Sequence, residues 1–481
     1  MKNIKSIVLM TCMVASAFLF SGKNVSAKEF KPDVIGTLSK DGDSVKVKPV
    51  NKGTSQCIKY VSSTDELMYV YTDSKNDDPL IGVFDKNGIL LGSYDNMVSR
   101  DGDYLDLGNT GNTNNAGFFV KIRKGEEYYF EATLNNLSDV GEYNVHLIKT
   151  DKKPQVDVYA YNNEEGYITL PNKDIAKLGL SYDKDNYILT MNNTNIPYEI
   201  FVNADYEHLF SDGLLEIKII GKNTITVDYF SFIISQVSIV FTGNGTLSFK
   251  KATNDYIPIS VLSSEGNAYP VVFRVDGPTF DINVDTEQSP IEVEQLIMDS
   301  GKIIYSGNSH KSVIEARIIS INGGEIDALS GNVFSSIFSA NAIYINGGIT
   351  KTSVYSNKDD TFALYETVFL GQEDIIINDG TIVVKYIDPE ENVESVYVNP
   401  TFSSREEINI NGGNIYIIMS DKLKKYFGDK LAGIQTNTSD KKTPFISNKA
   451  NIQSGSTIDI SKVKCSLEYS DCVYDGKETS R

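Results

Sequence analysis

One phrase, written four times, limits what this chain can fold into. "INGGEI" starts at Ile321, "INGGIT" at Ile345, "INDGTI" at Ile377 and "INGGNI" at Ile410. Weaker versions begin at Ile220, Phe241, Val275, Met298 and Ile452. The steps between these positions are 21, 34, 23, 23, 24, 32, 33 and 42 residues. Self-similarity at a period of roughly 20–45 residues marks a solenoid, in which each unit covers the open face of the one before. Each unit reads as a β-branched run, a tight turn and a second short run. Asn322-Gly323, Asn346-Gly347, Asn378-Asp379 and Asn411-Gly412 are expected as the turns, with glycine supplying the positive φ that a tight bend needs. Asn-Gly also marks hairpins, but these arms are short and the recurrence is regular. Stacking each run on its counterpart one unit later satisfies the backbone in a parallel ladder. The side chains of Ile, Val and Phe then line an inner column. The Asn positions, with Asp276 and Asp299 in the same frame, are expected to form a hydrogen-bonded side-chain ladder. The expected fold class is therefore all-β: an N-terminal β-sandwich followed by a right-handed parallel β-helix.

Residues 1–27 have the features of a secretory signal. Lys2 and Lys5 precede the apolar run "IVLMTCMVASAFLF", and Val25-Ser26-Ala27 offers a cleavage site. Apolar residues continue past Cys12 to Phe20, which places Cys12 inside the signal core rather than at a lipidation site. The chain is expected to be secreted, either extracellular or associated with the cell surface, with no transmembrane segment. Its formal charge of −19 becomes −22 with the loss of Lys2, Lys5 and Lys23. That balance argues against nucleic acid or an anionic membrane as partner. After cleavage Cys57, Cys465 and Cys472 remain, too few for a disulfide scaffold. Cys465 and Cys472 are available to pair with each other, and Cys57 reads as a lone buried thiol.

Residues 28–150 alternate short strands with Gly, Asn and Asp turns, the spacing of a β-sandwich. Residues 79–87, "KGEEYY" (124–129) and "GEY" (141–143) resemble the bacterial pre-peptidase C-terminal domain, a module that accompanies secreted enzymes and in some relatives binds matrix or sugar. Residues 151–177 are expected as a linker and 178–460 as the β-helix, the first unit being an irregular cap. "SDKLKKYFGDKLAG" (420–433) has helical spacing. The tail, 461–481, contains "YDGK" and resembles the opening of the Ig-like modules of Gram-positive surface proteins. The repeat region resembles the β-helices of secreted clostridial-type surface proteins. That resemblance implies a carbohydrate-binding or adhesin-like role, on an architecture shared with pectate lyases.

Chemistry is thinly represented. A polysaccharide lyase needs acids around Ca²⁺ and a nearby Arg or Lys as base. Arg274 and Arg317, with Asp276, Asp299, Glu325 and Asp327, are the candidates. "DKNG" at 85 and "RDGDYLD" at 100 could offer oxygen ligands to Ca²⁺ but lack the full EF-hand pattern. His146, His208 and His310 stand singly, without metal-ligand spacing. The longer steps carry insertions with two tyrosines each: Tyr256 and Tyr269, Tyr355 and Tyr365, Tyr386 and Tyr397. Solenoid insertions often gather on a binding face, and tyrosine rings can stack on sugars. The expected function is non-enzymatic binding of a polysaccharide or an extracellular matrix or cell-wall component. A polysaccharide-cleaving β-helix is the alternative.

Overall fold

The computed structural model describes residues 32–455, apart from 49–53, 87, 89, 97–110, 136–140, 151–152, 205–208, 227–230, 251–256, 263–270, 359–361, 390–394, 424–433, 437–444 and 447–449. The expected signal, the "RDGDYLD" loop, His208, Cys465, Cys472 and the Ig-like tail lie outside the described residues. So does the expected helix from 424 onward; residues 421–423 do form a helical turn, with Leu423 buried. No described helix is long and apolar enough to cross a membrane.

The N-terminal part consists of two five-stranded sheets. One runs Val34–Leu38, Gln56–Val61, Glu127–Leu134, Pro79–Phe84, Leu90–Tyr94. Glu127–Leu134 alternates half-buried and buried residues along its whole length, the two-residue period of a strand with one face on a core. The second sheet runs Leu209–Ser211, Gly117–Lys121, Met68–Thr72, Tyr143–Lys149, Ser44–Val47. Side chains from both sheets, among them Tyr60, Val70, Phe118, Phe130 and Leu147, share one core. Cys57, on Gln56–Val61, is a free thiol that is half-buried rather than in that core, and its partial burial pushes its pKa up to about 12. It is therefore a poor nucleophile at neutral pH.

The repeat region builds two long, mainly parallel sheets of 19 and 11 strands. Leu215–Ile220 pairs with Ile239–Gly243, that strand with Val272–Val275, and so on through Ile291–Met298, Ile314–Ile321, Phe338–Ile345, Asp374–Ile377 and Glu407–Ile410. The runs after the turns form the other sheet in the same order, from Lys222–Thr226 to Asn451–Gly455. Phe241, Val275, Met298, Ile321, Ile345, Ile377 and Ile410 stand in one buried column, as their shared place in the repeat implies.

The two ends of that alignment are shifted. Phe241 pairs with Ile217 rather than Ile220, and Ile452 pairs with Ile415 in the second sheet. Ile410 pairs in the backbone register with Ile446. Residues 151–177 also differ from the expected linker. Val156–Asn162, Gly166–Thr169 and a short helix at Lys173–Ala176 belong to the stack. Val156–Asn162 pairs antiparallel with Glu199–Ala204, and Leu180–Asp183 pairs antiparallel with Ile188–Asn192. The parallel ladder thus ends in antiparallel hairpins that cover its first unit.

The turns place their essential glycine one residue later than expected. Gly301, Gly324, Gly348, Gly380 and Gly413 have φ between +74° and +102°. Gly323, Gly347 and Gly412 are not among the positive-φ residues. They are limited instead by the turn beneath: a Cβ on Gly347 would stand 2.5 Å from the carbonyl oxygen of Asn322, and one on Gly412 2.6 Å from that of Asn378. Ser300 and Asp379 hold the same place in their units, so this constraint can be relieved locally.

Candidate functional site

The side-chain ladder is continuous across five units. Asn411 Nδ2 donates to Asn378 Oδ1 (2.8 Å), Asn378 to Asn346 (2.8 Å), Asn346 to Asn322 (3.0 Å), and Asn322 to Asp299 Oδ1 (2.9 Å). Every amide points the same way, and the series ends on a carboxylate. Neighbouring bonds in such a chain polarise one another, and a charged acceptor strengthens the last.

Asp299 is also where the repeat region meets the N-terminal sheets. Its Oδ2 accepts from Arg274 Nε at 2.6 Å. The same guanidinium donates to Asp212 (2.7 Å) and Glu126 (2.9 Å). Arg123 lies 2.7 Å from Asp276 and 3.7 Å from Asp299, and the Tyr128 hydroxyl donates to Asp212 at 3.3 Å. Local structure explains how these groups meet. The turn "RKGE", with Gly125 at φ +86°, carries Arg123 and Glu126 out of the N-terminal sheets. Leu209–Ser211 leaves the repeat region to join the second N-terminal sheet, and Asp212 follows directly. Phe210 packs edge-on against Tyr128, while Ile318, Ala342 and Tyr344 on the outside of the stack complete the N-terminal core.

Arg274 is 3% exposed and Asp212 2%. Burial works against the charge on both. Against that burial, Asp212, Asp299, Tyr128 and Glu126 together raise the Arg274 pKa above its ordinary value, so the guanidinium stays charged. Burial lifts Asp212 to about 6 against the pull of Arg274. This arrangement leaves no face of Arg274 for a substrate. Arg317, the other expected base, is exposed on Ile314–Ile321 and is not part of the cluster. Glu325 and Asp327 engage lysines on neighbouring units, with Lys302 3.3 Å from both and Lys351 2.7 Å from Glu325. Among the described residues no group of three or more His, Cys, Asp or Glu is placed to hold a metal ion. Asp85 and Gly88 of the "DKNG" segment close a backbone turn.

The six tyrosines proposed from the insertions do not form one site. Tyr256 and Tyr269 lie outside the described residues. Tyr365 and Tyr386 are buried in the core, packed edge-on at 5.6 Å. The Tyr365 hydroxyl donates to the Ile387 carbonyl, and that of Tyr386 bonds Thr401 at 2.9 Å. They are structural, and a ligand cannot stack on them. Tyr397 is 59% exposed. Its strand, Ser395–Val398, pairs in parallel with Phe362–Tyr365, so two of the expected insertions do meet in a small sheet of their own. Tyr355 is half-buried beside Phe334 (6.0 Å between ring centroids), and Phe334 stacks on His310 at 5.0 Å with 12° between the planes. These three hold equivalent places in successive units, above the paired Asn308 and Asn332. Sequence reasoning found Tyr355 and missed its two companions, because the phenylalanine and histidine carry no shared letter.

A second aromatic cluster lies on the antiparallel cap, in the stretch expected as linker. Tyr159, Tyr161, Tyr167 and Phe201 approach one another at centroid distances of 4.6–6.1 Å. The alternation in "VDVYAYNNEEGYIT" could have revealed it: Val156, Val158 and Ala160 face the core, so Tyr159 and Tyr161 face out.

No protein-family model, curated protein or solved structure matches this chain.

Proposed function

We propose that this chain is a secreted, non-enzymatic surface or matrix protein whose repeat region is a right-handed parallel β-helix, preceded by a β-sandwich fixed to its flank. We further propose that the β-helix binds a polysaccharide along its length. The observation that carries this reading is the stripe His310–Phe334–Tyr355. Its rings sit on consecutive units, rise along the stack, and have amide side chains at its base. A linear polymer lying parallel to the stack axis would meet a ring at each step and hydrogen-bonding groups beside it. Aromatic rings present an apolar face at small conformational cost, which suits the apolar faces of pyranose rings.

The cleavage alternative has less support. The one buried arginine among the acids is bound on three sides by carboxylates, Asp276 is paired with Arg123, and Glu325 and Asp327 are paired with lysines. A glycan and matrix-protein array on the full chain, together with an assay for unsaturated chain ends, tests the proposal. Phe334→Ala and Tyr355→Ala are expected to abolish binding to the polymer that the array finds while leaving melting within a few degrees. Binding that survives both substitutions, or turnover of the polymer, would overturn the proposal.

A further inference from the structure

The cap cluster differs from the stripe in one respect: a buried carboxylate lies beside it on the same face. In the antiparallel register Tyr167, Tyr161 and Glu199 form one row across three strands, and Thr169, Tyr159 and Phe201 form the next. Directly opposed residues share a face, so Glu199 points to the same side as the rings. Ile200 and Val202, its alternating neighbours, point into the core. Glu199 is 6% exposed, and no described side chain hydrogen-bonds or ion-pairs with it. Tyr167, at the far end of the same row, is 64% exposed.

A buried carboxylate without a partner is costly. Burial alone lifts Glu199 to about 7, so near neutral pH the group is close to charging, with no described side chain to neutralise it. The rim adds more negative charge. Glu164 and Glu165 sit in the hairpin turn that joins the Tyr161 and Tyr167 strands, while Asp157, two residues before Tyr159, is paired with Lys184 at 3.4 Å. The Tyr198 hydroxyl donates to Glu165, and the Tyr161 hydroxyl to Asn163. An ammonium group is the chemistry that satisfies both features: it pairs with a carboxylate, and it is attracted to the electron-rich faces of aromatic rings. The strong negative charge of the whole chain draws polycations to its surface.

We infer that the face formed by Tyr159, Tyr161, Tyr167 and Phe201 with Glu199 beside them binds a glycan carrying free amino groups, a polymer of glucosamine type, with one ammonium on Glu199 and the sugar faces on the tyrosines. This site is separate from the stripe and takes a ligand of different charge, so either can fail without the other.

The test uses three hexasaccharides with the same β-1,4 backbone: glucosamine, N-acetylglucosamine and glucose. Binding to the full chain is measured by calorimetry near pH 6.5 in 0.15 M salt. The glucosamine hexamer is expected to bind at least tenfold more tightly than the other two. Glu199→Gln removes one negative charge of many and replaces a carboxyl by an amide of the same shape, so it should fold. It is expected to abolish the tenfold preference. Tyr167→Ala, at an exposed position, is expected to weaken binding of the glucosamine hexamer by the same order. Diffuse attraction to an acidic protein would survive both substitutions nearly unchanged, and that outcome overturns the inference. Equal affinity for the amino and neutral hexamers overturns it as well, and would leave a sugar-stacking face without charge recognition.

Discussion

Replacing Arg274 by methionine tests whether the buried charge cluster joins the two parts of the molecule. The cost can be placed residue by residue. Glu126 is 41% exposed at its side chain and can turn to water. Asp299 keeps its bond from Asn322 and has Arg123 nearby. Asp212 is almost completely buried and cannot turn to water; without Arg274 it keeps only the Tyr128 hydroxyl, at 3.3 Å, and the backbone N–H and more distant charge of Arg123. Stranding a buried charge costs about 3–5 kcal/mol, and nearly all of it should fall on Asp212. Two consequences separate this account from simple loss of packing. First, Arg274→Met combined with Asp212→Asn should recover most of the loss, to within about 1–2 kcal/mol of the parent, because the stranded charge is gone. Second, the loss should depend on pH. The parent holds Asp212 at about 6, and without Arg274 its pKa rises further. The gap between variant and parent is therefore greatest above both values. It closes by up to about 1.4 kcal/mol per unit as pH falls toward 6, then levels off where both proteins protonate the group. The assay is urea unfolding at pH 8 and pH 6, followed by circular dichroism and by tyrosine fluorescence, since the chain has 28 Tyr and no Trp. A loss below about 1 kcal/mol at pH 8, or a double variant no more stable than the single one, would refute the reasoning.

Gly348→Ala should destabilise by about 1–2 kcal/mol, because the backbone there is left-handed; Gly347→Ser should cost less, since Ser300 fills the same place two units earlier, and thermal melting of the two ranks them. Asn346→Ala breaks two ladder bonds, an expected loss of about 1–3 kcal/mol; Asn346→Asp should be worse above pH 5, because a carboxylate cannot donate to Asn322, and the two variants should converge as the Asp protonates. Tyr365→Ala should lower the melting temperature sharply, at about 3–5 kcal/mol for a buried aromatic, whereas Tyr397→Ala should leave it nearly unchanged. Glu199→Gln should stabilise the chain by about 2 kcal/mol at pH 8 and by nearly nothing at pH 4: the raised Glu199 pKa takes stability away as pH climbs from the unfolded value toward 7, and glutamine does not titrate.

The repeat was legible because column and turn are both local signals. An apolar residue, an Asn or Asp and a glycine within four positions mark each unit, and Phe241 to Ile410 pair as that alignment requires. It failed at the ends, where the letters blur. "IGKNTI" looks like a turn phrase, yet Ile220 is one strand position past Ile219, whose partner is Gly243. The position of the positive-φ glycine was hidden by the doublet Gly323-Gly324. The first glycine answers to the carbonyl of the unit beneath, and only the second to φ. Tyrosine misled for a different reason. A ring with one hydroxyl can be buried as long as the hydroxyl finds an acceptor, and Tyr365 finds one at Ile387, which no sequence pattern announces. The Arg274 cluster could not have been read at all. Its members come from residues 123 to 299, and their meeting depends on Leu209–Ser211 crossing to the other sheet.

The ladder of asparagines has a sense as well as a length. Each amide uses its NH₂ toward the preceding unit and offers its oxygen to the next, so every interior member presents the same pair of ends. A unit duplicated anywhere between Asn322 and Asn411 would be received by its neighbours without any change in them. The same cannot be done at the head of the series, where the second oxygen of Asp299 belongs to Arg274 and through it to the N-terminal sheets. The polarity of four side chains thus divides the molecule into a fixed origin and an extensible arm. Relatives of this chain should differ in the number of units beyond Asp299 far more readily than in the arrangement at its start.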